Sequence, residues 1–207
     1  MIFEQIPVGI MQNFSYIIGD EKTREAAVVD PGWQANKILE IAKKHKLSIT
    51  RILMTHAHYD HANRVGDIAD ATDAAVYVHK EEADEIKKLG INKIKIINDN
   101  DIINIGKIKI KVIHTPGHTA GSVCFLVDNK KLVTGDTLFV EAIGRVDLAG
   151  GDAEKMFNSL QKLKKLNENI EVYPGHNYGS KQNSTIDYEK KNNPYMKASK
   201  EEFFKIR

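Results

Sequence analysis

Thr55-His56-Ala57-His58-Tyr59-Asp60-His61 places four potential metal ligands within six residues, directly behind the apolar run Arg51 to Met54. In an extended chain, residues two apart point the same way, so His56 and His58 reach one ion from one side of the strand end. Asp60 and His61 turn away into the first turn of a following helix and are aimed at a second ion. By geometry the motif has two arms.

Three further ligand candidates occur in matching contexts along the chain. They are His118 in Thr115-Pro116-Gly117-His118, Asp136 in Thr134-Gly135-Asp136, and His176 in Tyr173-Pro174-Gly175-His176. Each follows a predicted strand and a turn residue. Strand ends are where open sheets gather functional groups, and a glycine beside a ligand lets backbone and ion approach closely. Sets of histidine and carboxylate suit Zn²⁺, Mn²⁺ or Fe.

Around these ligands the text reads as short strands broken by helices. Ile108, Ile110 and Val112 alternate with Lys107, Lys109 and Lys111, a period of two that marks a strand with one face in the core and a lysine face in water. Further β-like runs lie at Phe14 to Ile18, Ala26 to Val29, Arg51 to Met54, Ala75 to Val78, Val123 to Val127, Leu132 to Val133 and Ile170 to Tyr173. Helical stretches are predicted at Ala35 to Lys46, His61 to Ala71, Lys80 to Leu89 and Asp152 to Leu166, the last with Asp152 as N-cap. Strands paired by tight turns and interrupted by helices indicate an α+β chain of two sheets covered by helices. No linker or repeat divides it, so a single domain over residues 1–207 is expected.

Taken together, His-x-His-x-Asp-His followed by His118, Asp136 and His176 resembles the metallo-β-lactamase superfamily. The resemblance spans the chain from its first hairpins to about Asn193 and implies an αββα sandwich. Carried over residue by residue, it implies two divalent ions, with His56, His58 and His118 on the first, Asp60, His61 and His176 on the second, and Asp136 between them. Asp60 and Asp136 are the catalytic carboxylates of that reading, and a hydroxide between the ions is the nucleophile. Gly135-Asp136-Thr137-Leu138-Phe139, Gly144-Arg145 and Pro174-Gly175-His176-Asn177-Tyr178 look most like the glyoxalase II branch. That branch implies hydrolysis of a small-molecule thioester of the hydroxyacylglutathione kind, with Zn²⁺ as the first choice of metal and Fe or Mn as alternatives. The chain runs only to Arg207 after His176, which predicts few contacts to the thiol half of such a substrate.

Two rivals are carried alongside. An iron-dependent persulfide dioxygenase of the same fold resembles the chain around Gly144-Arg145-x-Asp147, and would use His56, His118 and Asp136 as facial ligands. A metal-stabilised binding protein without turnover is the other, and intact Asp60 and Asp136 weigh against it. Arg145 is a candidate for pairing with a substrate carboxylate, or else ties its loop to Asp147; Tyr178 is a candidate substrate-binding residue. His45, His79 and His114 each have an ordinary structural account, with a supporting role at the metal open for His114. The lysine-rich stretch from Lys190 to Lys205 reads as solvated surface.

Composition narrows the partners. With a net charge of +2 and 28% charged residues among 207, the chain has no global field that would draw it to nucleic acid or anionic lipid. There is no inserted basic arm of the kind nucleases use, and no run of ~18 apolar residues. The single cysteine, Cys124, sits in an apolar run and reads as a buried thiol, which rules out an internal disulfide framework. With no secretory pattern at Met1 to Gln5, a cytoplasmic location is expected. Oligomeric state is not legible.

Overall fold

The computed structural model describes residues 1–206. Its first half builds one sheet. A hairpin of β1 (Ile2–Val8) and β2 (Asn13–Gly19) leads into β3 (Glu25–Val29), and α1 (Ala35–Lys44) then crosses over to β4 (Ser48–Leu53). Two short helices, α2 (Tyr59–Ala62) and α3 (Val65–Thr72), lead to β5 (Ala75–His79), and α4 (Ala83–Lys88) leads to β6 (Ile94–Ile97). The six strands lie in sequence order; the hairpin strands pair antiparallel, and β3 to β6 are parallel because each is joined to the next by a helical crossover.

The second sheet orders its strands β12-β11-β10-β9-β8-β7. They are β7 (Ile102–Ile105), β8 (Ile108–His114), β9 (Val123–Val127), β10 (Lys131–Gly135), β11 (Glu171–Pro174) and β12 (Ser184–Thr185). Only β10 and β11 are parallel, and α5 (Ala153–Leu163) lies between them in the chain. Three helices follow: α6 (Ile186–Asn192), α7 (Pro194–Lys197) and α8 (Lys200–Ile206).

Three apolar clusters stack these parts into the expected αββα sandwich. Ile38, Ile68 and Ile86 of the first helical layer pack on Ile17, Val28, Ile52 and Val76 of the first sheet. Between the sheets lie Phe14, Tyr16 and Ile18 against Ile110, Val112 and Phe125. Strand β2 alternates its side chains between these two clusters, so every residue of it is buried, as a central two-faced strand requires. On the far side, Cys124, Leu126 and Val172 meet Met156, Leu160 and Leu163 of α5. Burial pushes the Cys124 thiol up to about 11, so it stays a protonated core residue.

Two sequence expectations change. The helix predicted from His61 to Ala71 is two helices, because Arg64 N donates to Pro31 O, and Asn63 Oδ1 accepts from Trp33 N at 2.6 Å. The turn after β3 thus intrudes where one helix would run through. The lysine-rich carboxy-terminal segment keeps its lysines outside, yet it buries Ile186, Met196 and Phe203 against α5 and is a packed part of the outer layer.

Candidate metal centre

All seven predicted ligands come together where loops leave the ends of β4, β10 and β11 and the turn after β8. His56 and His58 lie in the segment between β4 and α2, and Asp60 and His61 lie on α2. Two groups meet the distances of a metal site: His56, His58 and His118, and Asp60, His61 and His176. A third, Asp30, His56 and His61, contains a carboxylate that the sequence reading passed over.

The orientation of the rings is set from outside. His118 donates from Nδ1 to Arg145 O at 2.7 Å, and His176 from Nδ1 to Met11 O at 2.8 Å, since a carbonyl can only accept. Buried Asp30 accepts from His61 Nδ1 at 3.2 Å and from the Thr55 hydroxyl at 2.5 Å, and that hydroxyl in turn lies 3.0 Å from His56 Nδ1. Each of these four rings therefore turns Nε2 inward. The Nε2 atom of His118 lies 2.9 Å from His58 Nδ1, and the Nε2 atoms of His61 and His176 lie 3.1 Å apart.

That arrangement fits metal ions. Among the described residues, His56 Nε2 and Asp136 Oδ1 are buried without a hydrogen-bond partner, a costly condition that coordination to a cation would relieve. Ring nitrogens converging as close as 2.9 Å are spaced like ligands that share an ion at ~2.1 Å each. Gly175 allows the approach, since a Cβ there would lie 2.3 Å from Asp136 Oδ1.

The charge states of the two groups differ. Burial and then the neighbouring His61 keep His56 well below the usual histidine range, and burial and then His118 lower His58. Burial also opposes charge on His176, but hydrogen bonds to Asp136 and Asp60 outweigh it and raise the group to about 9. His61 is raised in the same way, against burial, by Asp136 and Asp30. The carboxyls of Asp60 and Asp136 are lowered despite burial, because histidines surround them.

The remaining candidates lie at the rim. Tyr178 stacks on the His176 ring at 4.6 Å and is half exposed. The exposed Arg145 side chain forks onto both oxygens of Asp147, at 3.0 and 2.8 Å, so of its two predicted roles the structure displays the loop tie. His114 lies 3.0 Å from Ala120 O through Nε2 and stacks on His79. A cleft of about 550 Å³ opens beside His58 and is walled by Tyr59, Glu81, Glu85, Leu89 and Ala120. Another of about 390 Å³ lies over Gly144 to Asp147 beneath Tyr195 and Phe204.

Three supporting residues escape the sequence reading. Asp30 shares the context of the recognised ligands, a strand end followed by Pro31-Gly32, and that pattern could have found it. Buried Glu82 accepts from Ala57 N at 3.0 Å and Gly121 N at 2.9 Å, joining the His56-His58 segment to the His118 turn. Asn13 touches the second group from β2. No local signal marks the last two.

Comparison with known proteins bears on this centre. A family model described as Metallo-beta-lactamase superfamily matches residues 8–176. The chain is 36% identical to the probable polyketide biosynthesis zinc-dependent hydrolase PksB of Bacillus subtilis, over 93% of this chain and 85% of that one. It is 35% identical to a hydroxyacylglutathione hydrolase of Pelagibacter ubique, over 84% and 70% of the respective chains. The crystal structure of ETHE1 from Myxococcus xanthus superposes with a TM-score of 0.90 at 32% identity, covering 100% of this chain and 89% of that one. With the family pattern matched over most of its length and the fold reproduced, the chain belongs to the metallo-β-lactamase superfamily.

Proposed function

We propose that this metal-dependent hydrolase cleaves thioesters of the hydroxyacylglutathione kind at a centre for two divalent ions, Zn²⁺ being the first choice. The observation that carries the reading is the place of Asp136. Its Oδ1 lies 3.3 Å from His61 Nε2, and its Oδ2 lies 3.4 Å from both His118 Nε2 and His176 Nε2. A carboxylate between the arms offsets the repulsion of two dications ~3.5 Å apart. His56, His58 and His118 would hold one ion, Asp60, His61 and His176 the other, and Asp136 both. Bound there, such ions supply Lewis acidity and bring the pKa of a water from ~15.7 toward ~7.

The chain's own residues supply orientation. Asp30, Arg145 O and Met11 O hold the outer ring N–H groups, so that lone pairs face inward. Tyr178 is raised by burial and by the Asp136 and Asp60 charges, stays protonated, and offers a hydrogen bond to a substrate oxygen at the rim. The cleft beside His58 receives one arm of the substrate. A thiolate leaves without a dedicated proton donor, because thiols ionise near ~8.5. Similarity to a hydroxyacylglutathione hydrolase supports the substrate class, and similarity to a zinc-dependent hydrolase supports the metal.

The oxygenase reading keeps Gly144-Arg145-x-Asp147 as its support and needs one iron rather than two ions. The deciding experiment loads chelator-stripped protein with Zn²⁺ or with Fe²⁺. Cleavage of S-lactoylglutathione by the zinc form without oxygen consumption is expected. Rapid oxygen uptake by the iron form with glutathione persulfide, and no thioester cleavage by either form, overturns the proposal.

A further inference from the structure

Strand β2 opens on Asn13, a residue that strands disfavour, and Asn13 is almost fully buried. Its amide explains the position. Nδ2 donates to Asp60 Oδ2 at 2.7 Å and lies 3.5 Å from Nε2 of both His61 and His176. Oδ1 accepts the indole N–H of Trp33 at 3.0 Å. An indole N–H can only donate, so this bond decides which end of the amide is oxygen and turns the NH₂ toward Asp60.

Trp33 is held in its turn. Its main-chain N–H donates to Asn63 Oδ1 at 2.6 Å, and its ring occupies the space over Gly9, where a Cβ would lie 2.2 Å from Trp33 Cδ1. Gly9 itself has φ +66° at the tip of the β1–β2 hairpin. That tip is stitched to the His176 loop by Phe14 N to Gly175 O and Asn177 N to Gln12 O, both 2.8 Å. A chain of contacts therefore runs from Gly9 through Trp33 and Asn13 to Asp60. It ends on the Asp60 oxygen that faces His61 and His176, at 3.5 and 3.3 Å. The other arm is held by different residues: Thr55 and Asp30 behind His56, Arg145 O behind His118, and Glu82 on the main-chain N–H groups of Ala57 and Gly121.

We propose that Asn13 is a positioning residue of the second arm alone. It holds Asp60 Oδ2 in the direction of the ion shared with His61 and His176, and it links that arm to Trp33, the single tryptophan of the chain. One donor to Oδ2 leaves the oxygen's remaining lone-pair capacity for a cation and removes the freedom of the carboxylate to rotate away. The inference rests on the two-ion reading. It predicts that one binding constant, and not both, depends on a residue that ligates nothing.

The test is a titration of Zn²⁺ into chelator-stripped wild type, Asn13→Ala and Trp33→Phe, followed by calorimetry, with Trp33 emission recorded in wild type and Asn13→Ala. The second-arm constant is identified as the one that disappears in His176→Ala. In Asn13→Ala that constant is expected to weaken ~10–100-fold, the usual cost of losing a partner that orients a ligand, while the other stays within a factor of two or so. In wild type, Trp33 emission is expected to change with the second-arm ion and not with the first. Trp33→Phe keeps an aromatic ring, loses the N–H that orients the amide, and is expected to weaken the same constant several-fold. Both constants unchanged in Asn13→Ala, or both weakened alike, overturn the inference; emission that follows only the first ion does the same. Should Asn13→Ala not fold, an unchanged second-arm constant in Trp33→Phe counts against it. A wild-type chain that takes a single equivalent at every concentration overturns the two-ion reading as well, so the two failures are told apart.

Discussion

The Nδ1 nitrogen of His118 donates to the main-chain carbonyl of Arg145 at 2.7 Å, while the Arg145 guanidinium points away onto Asp147. The residue therefore serves the centre through its backbone. Arg145→Ala is expected to leave both equivalents of metal in place, measured by elemental analysis after gel filtration. Loss of the first-arm ion in that variant would show that the pair with Asp147 sets the carbonyl's position.

The two arms should respond differently to pH. In the metal-free protein His176 is raised to about 9 and His61 is raised as well, whereas His56 and His58 are lowered. An ion entering the second arm must displace the His176 proton at pH 7, and higher pH favours it by about tenfold per unit up to about pH 9. His56 and His58 of the first arm, held neutral by burial, release no proton over that range. Calorimetry in two buffers of different ionisation enthalpy counts the protons; equal release at both sites would contradict the asymmetry.

The same shifts fix a sign for stability. A folded-state His176 at about 9, above the unfolded value of 6.5, stabilises the metal-free chain fully below pH 6.5 and ceases to do so as pH rises through 9. Denaturant midpoints of the metal-free protein should fall between those limits, and saturating metal should remove the slope.

Asp136→Asn is expected to lose at least one equivalent of metal together with activity, by more than the ~100-fold typical of residues that only support a ligand. The amide keeps the shape of the side chain but loses the charge that lies within 3.4 Å of His118 and His176. Two tightly held ions with near-normal turnover would remove Asp136 from its bridging place.

Asp30 gathers Thr55 N, Thr55 Oγ1 and His61 Nδ1 in a buried site. Asp30→Ala strands these donors and should cost about 3–5 kcal/mol of stability, read from urea unfolding of the metal-free chain. Metal binding to His61 should weaken with it. A change below about 1 kcal/mol would mean that water replaces the carboxylate.

What could be read from the residues in order was whatever is local. The alternation of Ile108, Ile110 and Val112 with lysines follows from strand geometry, and these three are buried in the sheet interface while Lys109 is exposed. The seven ligand candidates were legible because four of them crowd into six residues behind one strand and the other three each follow a glycine beyond a strand. The fold class followed from the same pattern and from the family it resembles. What only the tertiary structure decided are the relations between distant segments. Asn13 and Glu82 are ordinary residue types whose role exists only because β2 and the end of β5 are packed against the ligand loops. The break in the helix after His61 depends on Pro31 and Trp33, and the burial of Phe203 depends on α5 lying beneath it. Side-chain chemistry and backbone periodicity act over a few residues and leave a mark in the text. A hydrogen bond such as that from Asn13 to Asp60 joins positions far apart in the chain, and packing alone brings them within reach.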